Sequence, residues 1–252
     1  MVKTVHIVMQ GKGGAGKSLT SSMLVQYLQH AEHDVQGIDL DPTTPTLSGI
    51  KALNAVPIQI MDGDDINPRH FDDLMTRIFE SGDDAHTVID TGTSSFIATC
   101  SYLSENNAFD LLQNFGVRVF IHCPVCGGAA LDDTCTSLLS ILSHFPDVPV
   151  VVWVNEFFGP VTKNGKSFEE SALYLENADR IAAVMTHPKV QAGTFGEDIR
   201  AMMQAKMTFA EAIQSNDFNV MARQRLKIYW TKAVDRLDNA AFLVPAELEA
   251  AE

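Results

Sequence analysis

The stretch QGKGGAGKSL, residues 10–19, decides the fold because it joins a glycine-rich loop to two lysines. It follows the apolar run VHIVMQ (residues 5–10), and a helical pattern begins directly after it at about residue 18. Residues 11–18 satisfy G-x-x-x-x-G-K-[ST] in the order strand, loop, helix that a phosphate-binding loop requires. The backbone N–H groups of such a loop can surround phosphates. We therefore predict a phosphate-binding loop, with a glycine-rich turn formed by chance as the alternative.

The polar residues of this loop have predicted roles in binding a nucleotide. Lys17 can reach the β and γ phosphates, and the Ser18 hydroxyl can ligate Mg²⁺. Lys12 is additional to the pattern, and a solvated loop lysine is the alternative to a functional role for it. The residues predicted to contact the nucleotide are consecutive: Gly11, Lys12, Gly13, Gly14, Ala15, Gly16, Lys17, Ser18 and Leu19.

Outside the loop, short β-branched runs alternate with stretches of helical period, including one at about residues 18–31. The runs are apolar on both faces of the pleat, as parallel strands covered by helices on both sides must be. This pattern predicts an α/β fold, a doubly wound and mostly parallel sheet with helices on both faces. The later predicted strands are VQGIDLD (35–41), VPIQIM (56–61), HTVIDTG (86–92), VRVFIHC (117–123) and VPVVVWVN (148–155).

Length and composition predict one domain in a reducing environment. With 252 residues and 46% hydrophobic content, we expect one core over residues 1–240 and a flexible acidic tail at 241–252. The net charge of -14 disfavours nucleic acid and anionic lipid as partners of the surface as a whole. Four cysteines, no bilayer-length apolar run and no basic-then-apolar amino terminus predict a cytoplasmic protein without a membrane anchor. Gly and Pro in residues 157–170 predict a surface loop or flap.

Three predicted strands end in polar residues, and ligands of such a sheet bind beyond the carboxyl ends of its strands. Asp39 and Asp41 share one pleat face, where one carboxylate can support the shell of Mg²⁺ and the other can orient an attacking water. Asp90 ends an apolar strand, which is typical of a carboxylate that acts on Mg²⁺, and the N–H of Gly92 can approach a γ-phosphate. The amide of Asn155 can read an adenine edge. Solvated turns are the alternative for the aspartate pair and for Asn155.

The motif HCPVCGG, residues 122–128, leaves two interpretations open. Cys123 and Cys126 could bind a metal or a cluster if two protomers each supplied one pair of ligands. Buried thiols at a strand end are the favoured interpretation, since free cysteine is commonly core material. Cys100 and Cys135 are predicted to be structural, and His122 is predicted to be a hydrogen-bonded core histidine.

The stretch 218–239 predicts an amphipathic helix that packs on the sheet. Basic residues flank its apolar face, so nonspecific contact with DNA is one interpretation, and packing of their aliphatic stems beside the core is the favoured one. The apolar face is predicted from Ala222, Leu226, Tyr229, Trp230, Ala233 and Leu237, and the basic residues are Arg223, Arg225, Lys227, Lys232 and Arg236.

The pattern K-G-G-x-G-K-[ST], from Lys12 to Ser18, resembles the deviant Walker A motif of the P-loop ATPases of the ParA/MinD superfamily. The resemblance implies a nucleotide-sandwich dimer in which Lys12 reaches the phosphates bound by the partner subunit, as an arginine finger does. It also implies ATP and Mg²⁺ as cofactors. The implied roles are phosphate binding for Lys17, Mg²⁺ binding for Ser18 and Asp90, positioning of the hydrolytic water for Asp41 with support from Asp39, and adenine contact for Asn155.

Longer strings extend the resemblance over most of the chain. IQIMDGDDINPRHFD (58–72), GKSFEE (165–170) and RQRLKI (223–228) are similar to the TraL/StbB-type proteins of conjugative plasmids. This similarity implies a role in plasmid conjugative transfer or in plasmid stability and partition, with a plasmid transfer or partition protein as partner. Two departures from common ParA sequences are DTGTSS (90–95), which lacks a proline-containing turn, and Glu156, where a basic residue is frequent.

Three classes of function are compatible with these motifs. The leading one is a nucleotide switch, in which ATP and Mg²⁺ close a homodimer and slow, partner-stimulated hydrolysis resets it. A small-molecule ligase or kinase of the same fold would use the loop for phosphoryl transfer to a metabolite. An iron–sulfur carrier would use Cys123 and Cys126. The second lysine favours the switch, because an enzyme with an acceptor substrate has no general need of a lysine in trans.

Overall fold

A computed structural model describes residues 2–41, 43–62, 65–188 and 191–243 of the chain. Its strands are β1 (Thr4–Val8), β2 (Val35–Leu40), β3 (Val56–Pro57), β4 (Met61–Asp62), β5 (Asp65–Ile66), β6 (His86–Thr91), β7 (Arg118–Cys126), β8 (Val150–Asn155), β9 (Thr162–Lys163), β10 (Lys166–Ser167) and β11 (Ile181–Thr186). Its α-helices are α1 (Lys17–His30), α2 (Phe71–Glu80), α3 (Phe96–Glu105), α4 (Ala108–Asn114), α5 (Leu131–His144), α6 (Ala172–Leu175), α7 (Glu197–Gln204), α8 (Phe209–Gln214) and α9 (Val220–Leu237).

Seven of these strands form one sheet in the order β11-β8-β7-β1-β6-β2-β3. Every neighbouring pair in this sheet is parallel. Two antiparallel hairpins, β4 with β5 and β9 with β10, lie outside it. The carboxyl ends of the parallel strands therefore meet at one edge, where ligands of such sheets bind.

Helices cover both faces of the sheet. Since successive strand residues point to opposite sides, neighbouring residues pack against different helices. Ile7 of β1 packs into one buried cluster with Leu138 of α5 and other residues of α2 to α5. The next residue, Val8, packs into a second cluster with Leu226 of α9 and residues of α1, α7 and α8. The predicted doubly wound α/β fold is confirmed. None of the helices in the described part of the chain is both long enough and apolar enough to cross a bilayer.

Several elements differ from the sequence expectation. Of the predicted strand VPIQIM, Val56 and Pro57 pair with β2, and the N–H of Ile58 still donates to the carbonyl oxygen of Asp39 at 2.9 Å. The predicted loop 157–170 contains the β9–β10 hairpin. The edge strand β11, with sequence IAAVMT, was not predicted. Strand β7 continues past Cys123 to Cys126, so the whole C-x-x-C motif lies in the sheet.

The predicted amphipathic helix corresponds to α9, which begins after Asn219 and buries five of the six predicted apolar residues. The sixth, Trp230, is only partly buried. Packing continues beyond residue 240, because Phe242 is 3% exposed and its ring lies 5.2 Å from that of His122. Most of the predicted acidic tail, residues 244–252, lies outside the described residues.

Candidate functional site

The loop of residues 11–18 turns directly into the first turn of α1. Gly16 precedes the helix at φ 101°, a left-handed conformation that favours glycine. A Cβ at position 16 would lie 2.9 Å from Asn155 Nδ2 at the end of β8, so this close approach also requires a glycine at position 16. Within the described residues, no side chain caps α1 and its first turn has no acidic residue. The first N–H groups of α1 are therefore available to an anion in the loop.

Lys17 is buried at the base of the loop, with 7% of its surface exposed. Its Nζ donates a hydrogen bond to Thr93 Oγ1 at 2.7 Å. Burial lowers the pKa of Lys17, and the nearby carboxylates of Asp90 and Asp41 oppose this shift. Thr93 follows Gly92 in the chain, so the loop after β6 is in direct contact with Lys17.

Asp39 and Asp90 occupy neighbouring strands at the same level of the sheet. In the parallel register Asp90 pairs with Asp39 on one side and with Val8 on the other. Asp39 Oδ2 accepts hydrogen bonds from the N–H and the hydroxyl of Ser48, at 2.8 and 3.0 Å. Burial raises the pKa of Asp39, and these hydrogen bonds from Ser48 lower it. The register therefore places two carboxylates side by side directly behind the loop.

Asp90 is fully buried, and its two oxygens differ in their partners. Ser21 Oγ donates to Oδ1 at 2.9 Å, whereas Oδ2 has no hydrogen-bond partner among the described residues. Burial raises the pKa of Asp90 to about 7, with Asp39 adding to the shift and Ser18, Ser21 and Lys17 opposing it. A buried carboxylate oxygen without a donor is expensive for the fold. This oxygen therefore fits a bound cation, which the Ser18 hydroxyl could also ligate.

A cavity of about 740 Å³ lies in front of these groups and is lined by loop residues, Asp41, Thr93 and Arg200. Asp41 Oδ1 also accepts hydrogen bonds from the backbone N–H groups of Thr43 and Thr44, at 2.9 and 3.0 Å. This Asx turn is the kind of turn that was the alternative interpretation of the aspartate pair. Both descriptions apply, because the same carboxylate caps a turn and lines the cavity.

A second cavity, of about 270 Å³, lies beside the first beyond the end of β8. Its lining is mostly apolar or aromatic, as is usual for the pocket of a flat ring system. The lining includes Asn155, Phe157, His187, Pro188 and Tyr229.

Asn155 connects this second cavity to the loop. Its Nδ2 donates to the carbonyl oxygen of Ala15 at 3.1 Å, and its Oδ1 accepts from the N–H of Phe157 at 3.1 Å. Each amide atom retains one further hydrogen-bonding position. In this structure Asn155 thus holds the backbone of the loop.

The sequence comparisons agree with this geometry. The CobQ/CobB/MinD/ParA nucleotide binding domain matches residues 6–211 of the chain. The chain belongs to this nucleotide-binding family. Two Escherichia coli proteins, each named Protein TraL, are 40% identical to it over 240 residues, which is 95% of this chain and 99% of each relative.

Solved structures of the family share the fold at low sequence identity. The MinC:MinD cell division protein complex of Aquifex aeolicus has a TM-score of 0.54 at 15% identity, covering 96% of this chain and 98% of that one. The septum site-determining protein MinD of Pyrococcus horikoshii, complexed with Mg-ADP, has a TM-score of 0.50 at 14% identity, covering 94% and 96%. These likenesses support the fold of the nucleotide-binding domain.

The second lysine of the loop, Lys12, lies apart from both cavities. Its Nζ forms an ion pair with Asp133 Oδ2 at 2.7 Å, in the first turn of α5. The two side chains are 43% and 59% exposed, and pairs this exposed contribute at most about 1 kcal/mol. Lys12 can therefore leave Asp133 at little cost.

The C-x-x-C motif supports the loop from below. Cys123 and Cys126 are both fully buried, which confirms the favoured prediction of buried thiols. The thiol of Cys126 donates to the carbonyl oxygen of Ala15 at 3.2 Å, and Gln10 Nε2 lies 3.6 Å from the sulfur of Cys123. Burial raises the pKa of both thiols, to about 11 for Cys126, so both stay protonated. Among the described residues no group of three or more side chains could hold a metal ion.

Other predicted features have structural partners. His122 is fully buried and is bonded to His6 and Trp153, as predicted for a core histidine. Cys100 is buried and Cys135 is half-buried. On α9, Arg225 pairs with Asp198 and Arg236 donates to a backbone carbonyl of β11. Two of the five basic residues are thus engaged within the fold.

Several residues that touch the site were missed by the sequence analysis. Thr93 and Ser21 lie within two residues of predicted site residues. The hydroxyl residues of the strings DTGTSS and KSLTSS were the available signal for them. Ser48 lies nine residues after the Asp39 that it bonds, and Cys126 lies far from Ala15 in the chain. For such distant partners, only the folded topology gives a signal.

We predict that Asn155→Ala weakens the binding of Mg-ATP about fivefold, because the buried hydrogen bond from its amide to Ala15 of the loop is lost, at roughly 1 kcal/mol. Isothermal titration calorimetry measures the affinity. Asn239→Ala is the matched control, since its amide donates a hydrogen bond to the carbonyl oxygen of Asp235 at the end of its own helix, away from the loop. Unchanged affinity in Asn155→Ala would show that the loop does not need this support.

We also predict that Asp90→Asn stabilises the nucleotide-free protein increasingly as pH rises. The raised pKa keeps Asp90 protonated in the folded state to about pH 7, so wild-type stability falls from about pH 4 to about pH 7. The difference between variant and wild type should approach roughly 4 kcal/mol at most above pH 7.

Urea unfolding at pH 4.5, 6 and 8 measures this difference, with the exposed Asp83→Asn as control. A difference that stays constant across these pH values would contradict the buried, protonated carboxyl.

Proposed function

We propose that this chain is an ATP- and Mg²⁺-dependent nucleotide switch, a slow ATPase stimulated by a partner, whose ATP-bound form is a homodimer. One observation carries the proposal. The uncapped amino terminus of α1, the buried Lys17 and the carboxylates of Asp39, Asp41 and Asp90 converge on one edge of the sheet. Positive groups for phosphate and acidic groups for a metal thus stand together, as phosphoryl chemistry requires.

The roles within this site follow from the contacts. The N–H groups of residues 11–19 and Lys17 would hold the phosphates, with Lys17 leaving Thr93 to do so. Ser18 and Asp90 would hold Mg²⁺, and the donor-free Oδ2 of Asp90 supports this assignment. Mg²⁺ neutralises the charge that develops on a transferring phosphoryl group.

Three further residues would complete the hydrolytic and sensing parts. Asp41 would orient the attacking water, and Asp39, fixed by Ser48, would support it. The N–H of Gly92 would sense the γ-phosphate, since the loop that follows β6 already contacts Lys17 through Thr93. Asn155 would contact adenine through its remaining hydrogen-bonding positions.

The dimer is the part of the proposal that explains Lys12. In one protomer Lys12 is held by Asp133 and does not line the cavity in which phosphates would bind. A second protomer facing the loop would offer Lys12 a phosphate in exchange for this exposed ion pair. Ile97, which is 77% exposed at the start of α3, follows Phe96, whose ring would lie 3.1 Å from a Cβ at Gly11 of the loop. It therefore offers apolar surface in the neighbourhood of the loop.

The biological setting is inferred from resemblance. The TraL/StbB-like strings and the 40% identity to Protein TraL support a role in plasmid conjugative transfer or in plasmid stability and partition, in the cytoplasm. The partner that reads the closed dimer would be a transfer or partition protein. Direct DNA contact is disfavoured by the net charge of -14 and by the engagement of Arg225 and Arg236.

Light scattering after size exclusion tests the proposed switch. Mg²⁺ with a nonhydrolysable ATP analogue should double the mass of wild type, and Lys12→Ala should bind the analogue but remain a monomer. Lys227→Ala, an exposed lysine on α9, should dimerise normally. Wild type that binds the analogue without any change of mass would favour a monomeric enzyme, for which product formation with a metabolite acceptor is the test.

A second prediction concerns the contact that holds Lys12 in the monomer. Asp133→Asn should lower the concentration of ATP analogue needed for half-maximal dimerisation about threefold, because Lys12 no longer exchanges a carboxylate for phosphate. The control is Asp132→Asn in the same helical turn, whose carboxylate pairs with Lys163 instead. Equal behaviour of the two variants would contradict a restraint specific to Lys12.

A further inference from the structure

Arg200, which lies outside all of the sequence motifs, lines both cavities of the site. Both the phosphate-side cavity and the apolar cavity are lined by four residues, namely Gly14, Gly16, Leu19 and Arg200. The first three belong to the loop and to α1, and Arg200 comes from α7 on the opposite side. In a nucleotide the ribose and the first phosphate lie between the base and the outer phosphates. Arg200 is therefore next to the place where those two groups would lie.

Few positive charges are present at this junction. Among the described residues that line the two cavities, Lys17 and Arg200 are the basic ones. The same cavities are lined by the acidic side chains Asp41 and Glu156. Because these two carboxylates accompany Lys17, a second cation would strengthen the electrostatic attraction of the site for a polyphosphate.

Helix α7 is held firmly in place. Ile199 and Met202 are buried in the core beneath it. Asp198 forms a largely buried ion pair with Arg225 of α9, in which the side chains are 14% and 22% exposed. Gly196, just before the helix, lies so close to the ring of Phe157 that a Cβ would overlap it. The backbone that carries Arg200 is thus anchored on three sides.

The side chain of Arg200, by contrast, makes exposed contacts that a ligand could replace. Its guanidinium lies 5.6 Å from the centre of the Phe157 ring and pairs with Glu197 Oε1 at 2.7 Å. This pair is 49% and 56% exposed, so breaking it costs about 1 kcal/mol or less. An arginine can exchange such a carboxylate for a phosphate, whose oxygens match its planar fork.

We propose that Arg200 binds the phosphate group adjoining the ribose of a nucleoside di- or triphosphate. This inference rests on the proposed function, because it assumes that a nucleotide spans the two cavities. Arg200 leaves Glu197 when the nucleotide enters and stays stacked near Phe157. It is a nucleotide-contacting residue placed on α7, opposite the glycine-rich loop.

Calorimetric titration with Mg-ATP and Mg-ADP tests the inference. Arg200→Gln should weaken both nucleotides about tenfold, which is about 1.4 kcal/mol, because both carry the contacted phosphate. Arg200→Lys should restore part of the affinity through a point charge. Glu197→Gln should bind both nucleotides at least as tightly as wild type. Arg77→Gln, an exposed arginine on α2 at the other face of the sheet, is the matched control and should behave as wild type.

Different failures are distinguishable in the same titrations. Wild-type affinity in Arg200→Gln overturns the inference and leaves the proposed function intact. A loss confined to Mg-ATP also overturns it, because the contact would then be with the third phosphate. If wild type binds neither nucleotide, the proposed function fails and this inference fails with it. Thermal melting of each variant identifies any loss that comes from unfolding.

Discussion

The parallel register of β1, β6 and β2 is the constraint on which the site depends. It places Asp90 between Val8 and Asp39, so that two carboxylates lie side by side where the chain leaves the sheet for the loop. Parallel strands require helical crossovers, which bring α1 and its uncapped amino terminus to the same edge. The acidic side chains and the uncapped N–H groups of α1 therefore lie at the same edge as a consequence of the sheet topology.

Burial at this edge gives the charged groups unusual protonation. It raises the pKa values of Asp39 and Asp90 and lowers that of Lys17. In each case burial destabilises the charged form in the absence of a ligand, and a bound cation or bound phosphates would offset this destabilisation. The same logic applies to the exposed pairs, since Lys12 with Asp133 and Arg200 with Glu197 can both be exchanged at little cost. The nucleotide-free protein thus holds its polar groups in contacts that a nucleotide can replace.

Much of this arrangement could be predicted from the sequence. The loop 11–18, the strand ends at Asp90 and Asn155 and the apolar face of α9 follow from local patterns of residue type and spacing. The edge strand β11 escaped prediction because its two consecutive alanines give a weak β signal. The donors to Ala15 and the junction at Arg200 join segments far apart in the chain. No local pattern encodes such contacts, because they depend on how the strands are ordered in the sheet.

We propose that Lys12 contacts the nucleotide bound by a second protomer. The most direct test is a crystal structure with Mg²⁺ and a nonhydrolysable ATP analogue, in which the distance from Lys12 Nζ to the nearest phosphate oxygen is measured. We expect a two-fold dimer in which Lys12 has left Asp133 and lies within hydrogen-bonding distance of a phosphate held by the partner. A nucleotide-bound monomer, or a dimer in which Lys12 remains on Asp133, would contradict it.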